Sequence, residues 1–278
     1  MKILCILFFA VLAFSAYLLV AQHRLIYFPK RLQAVSLPPG FERISYQSES
    51  GRQTAYYLPA SQVHNSPPDR LWILFGGNAS LALDWLPFVS RYKGLPAAFL
   101  LFDYPGYGEC EGRASPDSIQ NSLLDCLRSL ADRLGLPFSE LIDRTSLLGH
   151  SLGAAVALQF AERFPVVHKI ILLAPFTTMI EMAKRTVPFP FYYLLLHRYN
   201  NLAILDKLTS SEAGPQIIIM HGSRDEIVPR SMAKTLARRY SGKIKFHEID
   251  NADHNSVIEL AEEEIYGIMG GRQAPQDL

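Results

Sequence analysis

Thr145-Ser146-Leu147-Leu148-Gly149-His150-Ser151-Leu152-Gly153-Ala154-Ala155-Val156-Ala157-Leu158-Gln159-Phe160 carries the most specific structural signal in the chain. Its first four residues read as a short buried strand, and the run from Ala154 reads as a helix packed closely by small residues. Between them, Gly149-His150-Ser151-Leu152-Gly153 fits G-x-S-x-G. The bare pattern is weak because short motifs recur by chance. The strand-turn-helix setting gives it meaning. So tight a turn leaves no room for a β-carbon at either flank, so two glycines are needed and the serine oxygen stands exposed at the tip. Ser151 is the candidate nucleophile.

On either side of this stretch, short apolar runs alternate with helical patterns. Glu42 to Gln47 and Arg52 to Leu58 read as an antiparallel hairpin around Ser48-Glu49-Ser50-Gly51. Further strands are predicted at Leu71 to Phe75, Ala97 to Phe102, Lys169 to Leu173, Gln216 to Met220 and Lys243 to Ile249. Helices are predicted at about Leu81 to Tyr92, Pro116 to Leu134, Arg230 to Tyr240 and Ser256 to Met269. Near-continuous apolar strands alternating with helices imply an α/β fold, a mostly parallel central sheet with helices on both faces. The polar patch from Ala60 to Arg70 reads as a surface loop between strands.

In such a sheet the chemistry gathers at the carboxyl ends of the strands. After Gln216 to Met220 comes His221-Gly222-Ser223-Arg224-Asp225-Glu226, and after Lys243 to Ile249 comes Asp250-Asn251-Ala252-Asp253-His254-Asn255. A serine hydroxyl needs a base to take its proton, and an acid must orient that base and stabilise its charged form. Asp225 is the best-placed acid, with Glu226, Asp250 and Asp253 as rivals. His254, in a loop, is preferred as base over His247, inside a strand. His150 and His221 read as packing or supporting groups. An oxyanion hole needs two backbone N–H groups. Leu152 supplies one by position, and Phe75-Gly76-Gly77-Asn78-Ala79 should supply the other, from Asn78 or next from Gly77.

The 278 residues, 49% hydrophobic with 17 glycines and 18 prolines, carry a net charge of +1 with no lysine or arginine run longer than two. That argues against a nucleic-acid partner. Cys5, Cys110 and Cys126 have neither metal-ligand spacing nor the number for a disulfide framework, and no metal or cofactor is implied.

From Ile3 to Ala21 about nineteen residues run with only Ser15 polar, enough to cross a bilayer as a helix. Ala13-Phe14-Ser15-Ala16 is a poor cleavage site, so an uncleaved membrane anchor is preferred over a cleaved signal peptide, and both over a buried core helix. Lys2 faces Arg24, Lys30 and Arg31 across the span, so charge sets no orientation. The length of the downstream domain leans toward an extracytoplasmic location.

These motifs resemble the serine α/β-hydrolases over nearly the whole chain after the anchor. More narrowly, Leu25-Ile26-Tyr27-Phe28-Pro29, Gly76-Gly77-Asn78-Ala79, Asp103 to Gly112 and Ala174-Pro175-Phe176-Thr177 are similar to segments of the small membrane-anchored members. Two departures stand out: Gly76 replaces the family's histidine before the oxyanion loop, and Cys110 replaces a serine. The resemblance implies hydrolysis of esters, thioesters or lysophospholipids.

The expected organisation is an N-terminal anchor or uncleaved signal over residues 1–22 and a hydrolase domain over 23–278, with a short lid at about 177–208. Val187 to Leu196 is an apolar, aromatic run beside the expected site, suited to lining an acyl pocket, touching lipid, or packing on the core. The expected activity is serine-dependent cleavage of acyl ester or thioester bonds at a membrane. The competing readings are a catalytically silent binding or scaffold protein on the same fold and a serine peptidase.

Overall fold

The computed structural model describes residues 2–32, 36–60 and 66–270. Part of the expected Ala60 to Arg70 loop, residues 61–65, and the ends of the expected domain bounds, Met1 and residues 271–278, lie outside the described residues.

Eight strands form one sheet: β1 (Glu42–Ser48), β2 (Gly51–Leu58), β3 (Leu71–Phe75), β4 (Ala98–Phe102), β5 (Thr145–His150), β6 (Lys169–Leu173), β7 (Gln216–Gly222) and β8 (Ile244–Ile249). Their order is β1-β2-β4-β3-β5-β6-β7-β8. The β1–β2 and β2–β4 pairs are antiparallel and every other pair is parallel. The helices are α1 (Lys2–Ile26), α2 (Leu86–Arg91), α3 (Pro116–Leu134), α4 (Phe138–Asp143), α5 (Leu152–Arg163), α6 (Met179–Ala183), α7 (Asn201–Leu208), α8 (Arg230–Arg239), α9 (Val257–Leu260) and α10 (Glu262–Met269).

The strand side chains alternate between two cores. Ile73, Phe75, Leu147, Ile170 and Ile217 pack on one face with α3, α5, α7 and α8. Trp72, Leu74, Leu148, Ile171 and Ile218 pack on the other with α2, α9 and α10. With both faces covered, β3 and β4 are buried along their whole length, which is why they read as continuous apolar runs.

Two expected helices are each divided. Leu81 to Tyr92 forms a 3₁₀ turn at Ala82–Trp85 followed by α2. Pro87 lies at the junction and has no N–H to continue the ladder. Ser256 to Met269 forms α9 and α10, meeting at Ala261 with φ −96° and ψ 4°.

α1 is the one helix among the described residues long and apolar enough to cross a membrane. Its last third is not free. Gln22 and Ile26 are buried, and the Gln22 side-chain oxygen accepts from the backbone N–H of Leu196 at 2.7 Å. The segment between β6 and β7 carries α6 and a 3₁₀ turn at Phe191–Leu194 over the carboxyl edge of the sheet. Its second part, α7, buries Leu205 and Leu208 in the core.

Candidate active site

β5 ends at His150 and α5 begins at Leu152, so Ser151 alone makes the turn. It holds φ 55° and ψ −113°, a conformation a non-glycine residue keeps only where its surroundings impose it. Its N–H donates to the Leu173 carbonyl at 2.8 Å, and its own carbonyl accepts from Ala154 at 3.1 Å. A Cβ on Gly149 would lie 2.2 Å from the Gly153 carbonyl oxygen, and one on Gly153 would lie 2.3 Å from that of Phe75. The two glycines thus let α5 start against β5 and β3, as the motif requires.

Asp225 follows β7. Its Oδ1 accepts the N–H groups of Ile227 and Val228, both at 2.9 Å, and its Oδ2 accepts from His254 Nδ1 at 2.7 Å. Burial would raise this carboxyl, but the His254 hydrogen bond and charge together with the Val228 N–H outweigh it and hold the pKa below the ordinary value. That bond orients the His254 ring through Nδ1 and leaves its Nε2 without a hydrogen-bond partner among the described residues. The rivals sit elsewhere. Glu226 and Asp250 are exposed, Asp253 accepts from the N–H groups of Asn255 and Ser256, and His247 pairs with Glu264.

His150 is buried, and its Nε2 donates to the His254 carbonyl at 2.7 Å. Burial, then the neighbouring His254, pushes its pKa down to about 4, so it is neutral and unsuited to taking the serine proton near pH 7. His221 donates to the Val228 carbonyl at 2.9 Å and lies 3.3 Å from Asp225 Oδ2, bracing the acid loop. Among the described residues no hydrogen bond joins the Ser151 hydroxyl to His254. Nucleophile–base pairs are often loose before substrate binds.

Leu152 is the first residue of α5, so its N–H is one of the donors a helix start leaves free. The loop after β3 is firmly held. The Asn78 carbonyl accepts from Phe28 N–H at 3.0 Å and from the Tyr107 hydroxyl at 2.6 Å, while its side-chain amide donates to the Ile26 carbonyl at 3.2 Å. Among the described residues the Asn78 backbone N–H donates to no protein acceptor. Gly77 lies against the elbow, where a Cβ would stand 3.7 Å from Ser151 Cβ. Tyr104 donates to the Gly76 carbonyl at 2.6 Å, bracing the loop where the expected histidine is missing. Cys110 is structural: it is buried, its thiol donates to the Thr54 carbonyl at 3.3 Å, and burial raises its pKa to about 12.

Asn78, Ser151 and Leu152 lie on the wall of a cavity of about 520 Å³. Phe176 lines it from the loop after β6, Met179, Val187, Phe191 and Leu195 from the lid, and Ile26, Leu25, Gln22, Leu18, Tyr17 and Phe14 from α1. Val187 to Leu196 divides its residues: Phe191 and Leu195 face the cavity, whereas Phe189, Tyr193 and Leu196 are exposed. Sequence reasoning missed the contribution of α1 and the His150–His254 bond. The sequence signal for the first is Ile26-Tyr27-Phe28, within the segment similar to the membrane-anchored hydrolases.

The model of the "Alpha/beta hydrolase family" matches residues 73–207. An uncharacterized protein of Mycobacterium tuberculosis is 27% identical over 239 residues, 84% of this chain and 80% of that protein. The Pyrococcus furiosus esterase Pf2001 superposes with a TM-score of 0.66 at 16% identity, covering 89% of this chain and 97% of that one. The thioesterase domain from the curacin biosynthetic pathway does so with a TM-score of 0.57 at 13% identity, over 82% and 99%. The fold is that of an α/β-hydrolase. Family model, relatives and architecture agree in their likeness to the α/β-hydrolase superfamily.

Proposed function

We propose that the protein is a membrane-anchored serine hydrolase that cleaves ester or thioester bonds of acyl or lipid-like substrates through an acyl-enzyme intermediate. The observation that carries this reading is the opening of the Ser151 elbow into an apolar cavity of about 520 Å³, well within the roughly 300–1,000 Å³ of small-molecule sites. His254 Nε2 takes the Ser151 proton as the oxygen attacks the acyl carbonyl carbon. Asp225 stabilises the imidazolium, and the N–H groups of Leu152 and Asn78 bind the developing oxyanion. The intermediate collapses, His254 returns the proton to the leaving oxygen or sulfur, and the acyl group stays on Ser151. Water then attacks that ester as His254 takes its proton, and the proton passes from His254 to the departing Ser151 oxygen as the acid is released. An esterase and a thioesterase domain among the structural neighbours support both leaving groups. α1 anchors the domain to the bilayer.

The test is labelling of the full chain by a fluorophosphonate, with turnover measured on acyl esters and thioesters. Labelling and turnover should both disappear in Ser151→Ala. A wild-type chain that neither labels nor turns over would instead be a silent binding protein on this fold.

A further inference from the structure

α1 is joined to the hydrolase core at three levels. Near its middle the Phe14 ring meets the Phe191 ring of the lid edge-on at 4.7 Å. One turn before its end, the Gln22 side-chain oxygen accepts from Leu196 N–H at 2.7 Å and His197 N–H at 3.4 Å. At its end, Ile26 accepts from the Asn78 amide, and Tyr27 bonds the Tyr199 hydroxyl at 2.9 Å and His197 Nδ1 at 3.1 Å. The cavity runs between these contacts.

Length constrains what such a helix can do. At 1.5 Å per residue the 25 residues of α1 span about 37 Å, but the part before Phe14 spans only about 18 Å, short of a hydrocarbon core of about 30 Å. If α1 crosses the bilayer, the half that walls the cavity also lies at hydrocarbon depth. The lid suits that depth, because beside α1 it exposes Phe189, Tyr193 and Leu196, at 75%, 53% and 66% of their surface.

We propose that α1 and the lid jointly form the acyl-chain subsite, in which Ile26 marks the end nearest the catalytic serine and the stretch from Leu18 back to Phe14 sets the length of chain accepted. This rests on the hydrolase reading above and adds where the chain lies and what measures it. From Ile26 to Phe14 the helix rises about 18 Å, the length of roughly fourteen extended carbons at about 1.25 Å each. From Ile26 to Leu18 it rises about 12 Å, or roughly nine to ten carbons. The ligand is therefore a single long acyl chain, and a bulky side chain at Leu18 should cut the subsite at roughly nine to ten carbons.

The experiment uses the full chain in phosphatidylcholine nanodiscs, wild type against Leu18→Trp, with kcat/KM measured for acyl esters and thioesters of four to eighteen carbons. The wild type should climb toward about fourteen carbons, and Leu18→Trp should lower the ratio of fourteen-carbon to four-carbon kcat/KM at least tenfold. A parallel arm measures binding of cis-parinaric acid, a fluorescent long-chain fatty acid, in Ser151→Ala with and without Leu18→Trp. There the second substitution should weaken binding at least tenfold. Unaltered length profile and unaltered parinaric affinity, in a chain whose turnover still depends on Ser151, would overturn the subsite and leave the hydrolase standing. Absent turnover with Leu18-dependent parinaric binding would sink the hydrolase reading and uphold the subsite. Absent turnover with binding indifferent to Leu18 would sink both.

Discussion

His150 Nε2 donates to the backbone carbonyl of His254 across 2.7 Å, so the residue before the candidate nucleophile holds the main chain of the candidate base. The bond joins the elbow after β5 to the loop after β8, two strands that do not touch in the sheet. His150→Ala should therefore lower kcat by about 100-fold, the scale expected when a catalytic group is misplaced by about 1 Å, with little change in KM. His150→Gln keeps an N–H donor of similar reach and should recover much of that loss. Equal defects in both variants would mean that packing, and not the hydrogen bond, is what His150 supplies.

The acid assignment separates two neighbours. Asp225→Asn removes the acceptor that fixes the His254 tautomer and should reduce kcat by about 10⁴-fold, whereas Glu226→Gln, at an exposed position, should change it less than about threefold. Combining Asp225→Asn with Ser151→Ala should add little to the loss from Ser151→Ala, since the residues act as a unit. Steady-state kinetics on one acyl ester decides the matter, and a severe defect in Glu226→Gln would shift the acid by one residue.

Much of this geometry was legible in the sequence because it is local. The elbow needs only a strand, two glycines and a helix within about twenty residues, and the parallel sheet then fixes the edge at which Asp225 and His254 must emerge. The wall of the cavity was not legible, because Phe14, Gln22 and Ile26 meet Phe191, Leu196 and Asn78 across long sequence separations. An apolar run suited to lipid gives no sign that one of its faces also packs on protein. The same limit hid His150, since a histidine within G-x-S-x-G does not reveal which loop its ring will reach.

The close approach of α5 to β3 makes Gly153 a stability determinant. In Gly153→Ala the new Cβ would meet the Phe75 and Gly76 carbonyl oxygens at 2.3 and 2.7 Å, backbone atoms that cannot swing aside. The variant should lose about 3 kcal/mol of stability, read as a lower midpoint in urea unfolding. Wild-type stability in Gly153→Ala would mean that α5 can move away from the sheet.

Asp103 should leave a pH signature. It is buried, one oxygen accepts from Ala82 N–H at 2.7 Å, and the other has no hydrogen-bond partner among the described residues. Burial, which outweighs that hydrogen bond and is reinforced by Asp84 and Glu109, raises its pKa from 3.8 to about 7. Because the folded value lies above the unfolded one, the contribution is fully present below about pH 4 and fades as pH rises through 7. Between pH 5 and pH 8 the wild type should therefore lose roughly 2–3 kcal/mol relative to Asp103→Asn, which cannot titrate. Parallel stability-versus-pH curves for the two proteins would show that Asp103 titrates alike folded and unfolded.

Deleting α1 separates a tether from a working part. If α1 only held the domain at the membrane, removing residues 2–28 would spare the hydrolysis of a small water-soluble ester, which needs neither bilayer nor acyl subsite. The contacts at Asn78 argue otherwise. Its side chain is held by the Ile26 carbonyl and its own carbonyl by Phe28 N–H, so the deletion leaves Tyr107 as the remaining hydrogen-bond partner of this residue among the described ones. An oxyanion donor acts through fixed placement, and losing one costs about 10²–10³ in kcat in related chemistry. The shortened chain should therefore hydrolyse a two-carbon ester about 100-fold more slowly than the full chain in detergent. Its far-ultraviolet circular dichroism and a cooperative unfolding transition should show that the core remains folded. A folded, shortened chain with full activity on the two-carbon ester would reduce α1 to a tether and show that the Ile26–Asn78–Phe28 junction plays no part in the chemistry.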